Sequence, residues 1–274
     1  MRLWYVLPAA ALILESAIGT SHATVTLFET FKTQFFAQSS DLGAPVPTGY
    51  SFVPRLTVSD PSDVANVSVV APKNTLNLTS NDGLTYDGDQ GLFLSKAAMD
   101  FAYPNSTYTF QIAGGTLGSQ SGAIDISADQ YANNVPQYTG GTYSLFQNLD
   151  VFQPNLISWN GFQTTSGANT PLTFLTIFDQ SGAVAFTTQG TNLLTDALVP
   201  ADTLLPSSNY TVDLVFSNRQ IDATNNFGGS STSVAFDLRT EFSFTTNVPE
   251  PSTLTMAVLS GLALSMFFGR QRWR

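Results

Sequence analysis

Between Thr24 and Asn247, apolar and polar residues alternate with a period of two far more often than with the helical period. Successive side chains of a strand point to opposite faces, so this pattern predicts β-structure. Strands are expected at Thr24–Phe31, Phe52–Ser59, Ala65–Ala71, Thr107–Ile112, Leu156–Trp159, Leu172–Asp179, Ala183–Thr188, Tyr210–Ser217 and Ser233–Thr246. All are rich in Val, Ile, Thr, Phe and Tyr, which fit a pleated, half-buried surface. Turn signals separate them: Asn81-Asp82-Gly83, Asp87-Gly88-Asp89, Gly114-Gly115 and Gly228-Gly229. The one internal helix signal, Ser95–Phe101, is a turn or two long. The expected class is all-β.

One internal echo bears on domain organisation. Tyr103-Pro104-Asn105-Ser106-Thr107-Tyr108-Thr109 is answered 102 residues later by Leu205-Pro206-Ser207-Ser208-Asn209-Tyr210-Thr211, and each leads into an alternating strand. An immunoglobulin-type sandwich is about 100 residues long. The echo therefore predicts two tandem sandwich domains, 24–142 and 143–247, meeting near the Asn-, Gly- and Pro-rich stretch 133–142. The alternative is one larger sandwich with a chance echo. In the tandem reading, Tyr108 and Tyr210 are buried rings whose hydroxyls bond back to the preceding turn.

The second half resembles bacterial fibronectin- or Ig-like modules. The resemblance rests on a strand with Trp159, on Phe178-Asp179-Gln180-Ser181-Gly182, and on Leu205-Pro206-Ser207-Ser208-Asn209-Tyr210 before a strand. It implies architecture and no activity.

Composition narrows the function classes. Hydrophobic residues make up 43% of the 274, enough for a packed core, but charged residues only 11%. Ser, Thr, Asn, Gln and Gly must then dress the surface, as in exported β-proteins. From Thr24 to Asn247 there are six basic and eighteen acidic residues, a balance of −12. Such a body repels phosphate backbones, so no nucleic-acid partner is expected. The chain has no cysteine, and its one histidine is His22. Cys or Ser-His-Asp nucleophiles and zinc sites of Cys and His are not available to the body. No cofactor is expected.

The two ends carry address signals. Arg2, the apolar run Leu3 to Leu14 and the small-x-small triplet Ser21-His22-Ala23 form a signal peptide, 1–23, with a signal helix and cleavage after Ala23. At the other end, Pro249-Glu250-Pro251 is stiff and extended. An uncharged stretch follows, predicted as a transmembrane helix over 252–269 and about 27 Å long, slightly short for a bilayer core. The chain then closes on Arg270, Arg272 and Arg274, which the positive-inside rule keeps cytoplasmic. This three-part order over 248–274 resembles the PEP-CTERM sorting signal. The resemblance implies recognition and removal of the tail by an exosortase-type membrane enzyme. It also implies delivery to the outer surface or matrix of a Gram-negative, exopolysaccharide-making bacterium, with membrane anchoring before processing. A plain single-pass anchor is the alternative.

Candidate chemistry in the body is sparse. Asp82, Asp87 and Asp89 are oxygen ligands that calcium could use, although the twelve-residue EF-hand pattern and its closing Glu are missing. The same residue types are ordinary turn formers. With Asp100 these aspartates are also the nearest carboxylate cluster for glycoside hydrolysis. Trp159 is either a core residue or a sugar-stacking platform. The leading expectation is a non-enzymatic surface or matrix protein. The alternatives are a carbohydrate-binding protein acting on exopolysaccharide and a carboxylate-dependent glycoside hydrolase.

Overall fold

A computed structural model describes residues 24–227 and 230–247. In chain order its elements are β1 (Val25–Ala37), β2 (Val46–Val58), β3 (Asn66–Val70), β4 (Thr75–Leu78), β5 (Thr85–Asp87), α1 (Lys96–Ala102), β6 (Thr107–Ala113) and β7 (Gln120–Asp125). These are followed by α2 (Thr142–Gln147), β8 (Asn155–Ser158), β9 (Thr170–Asp179), β10 (Val184–Thr191), β11 (Asp196–Val199), β12 (Asn209–Phe227) and β13 (Ser230–Thr245). The described chain is mostly strand, with two short helices. Neither helix is long and apolar enough to cross a membrane. The predicted signal helix, the 252–269 helix and the Gly228-Gly229 turn lie outside the described residues.

Three sheets organise the strands. A seven-stranded sheet runs β10-β9-β12-β13-β1-β2-β5, a four-stranded sheet runs β4-β3-β6-β7, and β11 pairs with β8. Within the long sheet every neighbouring pair is antiparallel except β1 and β13, which run parallel from Phe28↔Thr232 to Ala37↔Glu241. A parallel pair needs a long crossover, and here almost the whole chain serves as one.

Register places the apolar positions of the long sheet on one face. Phe28 pairs with Leu56, Lys32 with Phe236, Leu238 with Phe216, and Leu214 with Leu175. That face supports two hydrophobic clusters. In the first, Phe28, Phe52 and Leu56 pack against Val69, Phe110, Ile112 and Ile124 of the four-stranded sheet. The Phe28 ring meets Phe110 edge-on at 5.6 Å and Phe227 at 5.2 Å. In the second, Leu175, Ile177, Val212 and Leu214 pack against Phe146, Ile157, Trp159 and Val199, and Phe162 stacks on Phe216 at 4.7 Å. Each such side chain contributes roughly 1.5–3 kcal/mol on burial.

The β12–β13 hairpin serves both clusters. Tyr210, Val212, Leu214, Phe216 and Phe244 belong to the second, whereas Phe227, Val234 and Phe236 belong to the first. Residues on both sides of the expected 142/143 division therefore share the long sheet and the first cluster.

Helix α1 begins where the sequence predicts. Its N-cap Ser95 accepts a hydrogen bond from the Ala98 N–H at 3.2 Å, which satisfies one orphan donor. Only Met99 of this helix is buried, and it anchors the helix against the first cluster together with the partly buried Ala102.

Candidate functional site

The densest chemistry lies on the opposite face of the long sheet. In β13 the even positions Val234, Phe236 and Phe244 enter the clusters, so the alternating positions Asp237, Arg239 and Glu241 point the other way. The register brings Asp213 opposite Glu241 and Ser217 opposite Asp237. It aligns Glu29 with Arg55, and Arg55 with Asp87. Five carboxylates and three guanidiniums thus share one sheet face.

Their pairing is specific. Arg239 Nε lies 2.8 Å from Asp213 Oδ1, and Arg219 Nη1 lies 3.4 Å from Glu29 Oε2. Arg55 forks onto Asp87, with Nε–Oδ1 at 2.6 Å and Nη2–Oδ2 at 3.3 Å, the bidentate geometry that a planar guanidinium favours. The arginines also lie over aromatic rings: Arg55 and Arg219 over Phe31, Arg219 over Phe174, and Arg239 over Phe35. Long side chains thereby cover one another and the sheet. Asp213 is only 1% exposed and Arg239 3%.

Burial of so many charges shifts their titration. Desolvation pushes the Asp213 carboxyl up to about 7, against the pull of Arg239. The same cause raises Asp237 and Glu29, with Arg219 opposing it in both cases. A raised carboxyl beside a second acid is the outline of a hydrolytic pair. Yet Asp213 is closed off and ion-paired, so a sugar ring has no approach to it.

A second polar cluster forms on the core side. Lys32 belongs to the clustered face of β1, and its side chain is 1% exposed. Its ammonium donates to Asp129 Oδ1 at 2.8 Å, Asn105 Oδ1 at 2.9 Å and Asp100 Oδ1 at 3.1 Å, which uses all three donors. Lys96 closes the network by pairing with Asp100 Oδ2 at 2.5 Å and with Asp129. Two lysines and two aspartates balance. Burial works to raise the Asp129 carboxyl, but the bonds from Lys32 and Lys96 hold it below the usual range.

The aspartates singled out in the sequence do different things. Asp82 Oδ1 accepts from Ser80 Oγ, Leu84 N and Thr85 N at 2.8–2.9 Å and closes a turn. These bonds, the backbone ones foremost, lower its carboxyl. Asp87 is taken by Arg55, Asp89 accepts from Gly91 N at 2.7 Å, and Asp100 belongs to the lysine network. Among the described residues no group of three or more His, Cys, Asp or Glu side chains is placed to hold a metal ion.

Trp159 is 3% exposed in the second cluster, and its indole N–H donates to Leu194 O at 2.9 Å. It is a core residue, so no sugar can stack on it. Both echo tyrosines are buried and bonded to the turn before them. Tyr108 Oη donates to Pro104 O at 2.6 Å, and Tyr210 Oη accepts from Leu205 N at 2.8 Å. They sit in different sheets, Tyr108 in β6 and Tyr210 in β12. A cleft of about 310 Å³ lies between β7, the 167–169 loop and the far ends of β12 and β13. Asn169, Gln220 and Asp125 in its wall are already engaged, by Ile221, Gly167 O and Thr107 respectively. The cleavage residue Ala23, the motif Pro249, Glu250 and Pro251, and the tail Arg270, Arg272 and Arg274 lie outside the described residues.

No family model matches the sequence. No curated protein matches it. Among solved structures, the chain is similar to the FN1–FN3 domains of chicken CNTN1, with 12% identity over 78% of this chain and 66% of that one, at a TM-score of 0.23. It is similar at the same TM-score to the BSP domain of a biofilm associated protein, with 15% identity over 83% of this chain and 30% of that one. The chain thus spans under two thirds of the first and under one third of the second. Neither likeness extends to the whole fold, and the class, a mostly β protein, rests on the strand order itself.

Proposed function

We propose that this chain is a non-enzymatic, exported protein of the cell surface or extracellular matrix of a Gram-negative bacterium. Its C-terminal segment acts as a PEP-CTERM sorting signal and is processed by an exosortase-type membrane enzyme. The observation that carries this reading is the order of parts in the sequence: Pro249-Glu250-Pro251, an uncharged stretch, then Arg270, Arg272 and Arg274. The body, with two sandwich-like units on one long sheet, is the cargo. Its carboxylates support the non-enzymatic reading, because Asp87, Glu29 and Asp213 of the long sheet's polar face are paired with arginines, and Asp100 and Asp129 with lysines.

The three parts of the tail have separable roles, which gives a direct test. In a host that has the processing enzyme, Glu250→Ala leaves membrane insertion intact and accumulates unprocessed chain. Replacing the three arginines with Ser disturbs orientation and retention instead. If both variants are processed and surface-displayed like the parent, the tail is not a sorting signal.

A further inference from the structure

We propose that β10 is a self-association edge, at which a second copy of this chain adds antiparallel to the seven-stranded sheet. The inference rests on how differently the sheet edges are finished. At one end of the long sheet β5 has three residues, and Asp87 exchanges both backbone bonds with Thr79, N–O 2.9 and 3.0 Å. Its outward groups are therefore occupied. In the four-stranded sheet β4 has four residues, and β7 lies against β12 and β13. The small sheet has two strands of four.

Apart from a bulge between Val184 and Phe186 at its start, strand β10 has none of these protections. It runs for eight residues, Val184-Ala-Phe-Thr-Thr-Gln-Gly-Thr191, and pairs only with β9. In an antiparallel edge strand alternate N–H and C=O groups point away from the sheet. Val184, Thr187, Gln189 and Thr191 are exposed. Natural edges are usually guarded by Lys, Pro or an inward charge. Here the whole stretch from Gln180 to Thr195 contains no charged residue and no proline.

Charge selects the occupant. The body carries a balance of −12, so two copies repel across most of their surfaces. The uncharged stretch around β10 lets two copies meet without opposing carboxylates. An antiparallel pair of identical strands about a two-fold axis needs only one sequence to complement itself. With the axis through Thr188, Thr188 faces its own copy and Thr187 faces Gln189, polar pairs that sheets accept. The pairing closes at two copies and joins two seven-stranded sheets edge to edge. A contact this small predicts a weak dimer, with a dissociation constant on the order of micromolar. It does not depend on the sorting reading.

The test is a charge swap in the full chain, in mild detergent and followed by sedimentation. The parent is expected to dimerise over a micromolar range. Thr187→Lys with Gln189→Lys, or Thr187→Glu with Gln189→Glu, should each raise the dimer dissociation constant at least tenfold, with unchanged far-UV circular dichroism. An equimolar mixture of the Lys and Glu chains should recover the dimer. A parent monomeric to about 100 µM, roughly a hundredfold above the micromolar dissociation constant expected of so small a contact, would overturn the proposal. So would association, as a dimer or an open filament, that both charged variants retain unchanged.

Discussion

Asp213 is the residue at which burial and charge conflict most. Its carboxyl titrates near 7 in the folded chain and near 3.8 when free, so the folded state holds the proton more tightly than the unfolded one. Stability must then fall as pH rises between these values. Glu29 and Asp237, also raised, act in the same direction. Asp129, Asp63 and Asp82 are lowered, and their contribution is lost only as pH falls below about 4. Urea midpoints are thus expected to decline from about pH 4 to pH 8. Asp213→Asn should flatten that decline by on the order of 1–4 kcal/mol. A parent midpoint that rises steadily through neutrality would contradict the assignment.

Lys32 makes the complementary case. Removing it leaves Asp100 and Asp129 to share Lys96, and Asn105 loses its bond from the ammonium. Because both carboxylates keep some solvent contact, Lys32→Met is expected to cost about 2–3 kcal/mol, less than the loss of a fully buried pair. Adding Asp129→Asn should then cost less than it does alone, which a double-mutant cycle measures. Strict additivity would show that the network is not coupled.

At the scale of elements, alternation in the sequence located β1, β2, β3, β6, β8, β9, β10, β12 and β13, and the Ser95 cap marked α1. The structure adds β4, β5, β7 and β11, which are three to six residues long. Thr85-Tyr86-Asp87 alone has no readable period. Helix α2 begins after Gly141 in the left-handed region, φ 81°, with no side-chain cap, so nothing in the sequence marks its start. Strand β12 runs to Phe227, ten residues past Ser217, where alternation fades. Pairing with β13, from Asn218↔Phe236 to Phe227↔Ser230, holds that extension. The polar positions of β13 were visible as an alternation. Their partners were not, since Arg239 of β13 meets Asp213 of β12 only once the register between the two strands is set. Close approach also fixes elements. A Cβ at Gly122 of β7 would stand 2.6 Å from the Phe227 side chain of β12. Gly122→Ala is expected to lower stability by about 1–3 kcal/mol, read as a drop in melting temperature. An unchanged melting temperature would mean that β7 does not pack this tightly on β12.

For the whole molecule, the long sheet is the unit that matters. Because β12 and β13 serve both hydrophobic clusters, the clusters should unfold together. Trp159, the one tryptophan between residues 24 and 247, reports on the second cluster, and far-UV circular dichroism reports on both. Their urea midpoints should coincide. The fragment 24–142 lacks Phe227, Val234, Phe236 and β13, the parallel neighbour of β1, so it should not fold alone. A cooperatively melting 24–142 fragment would show instead that the first cluster is self-sufficient.

The central claim concerns where this β body is sent and what is removed on the way. Intact mass spectrometry of surface-extracted protein, from a host that carries the processing enzyme, tests it most directly. A mature form cut near Pro249-Glu250-Pro251, lacking roughly the last two dozen residues, is the expected result. Recovery of the complete tail through Arg274 in that fraction would contradict sorting and leave a plain membrane anchor.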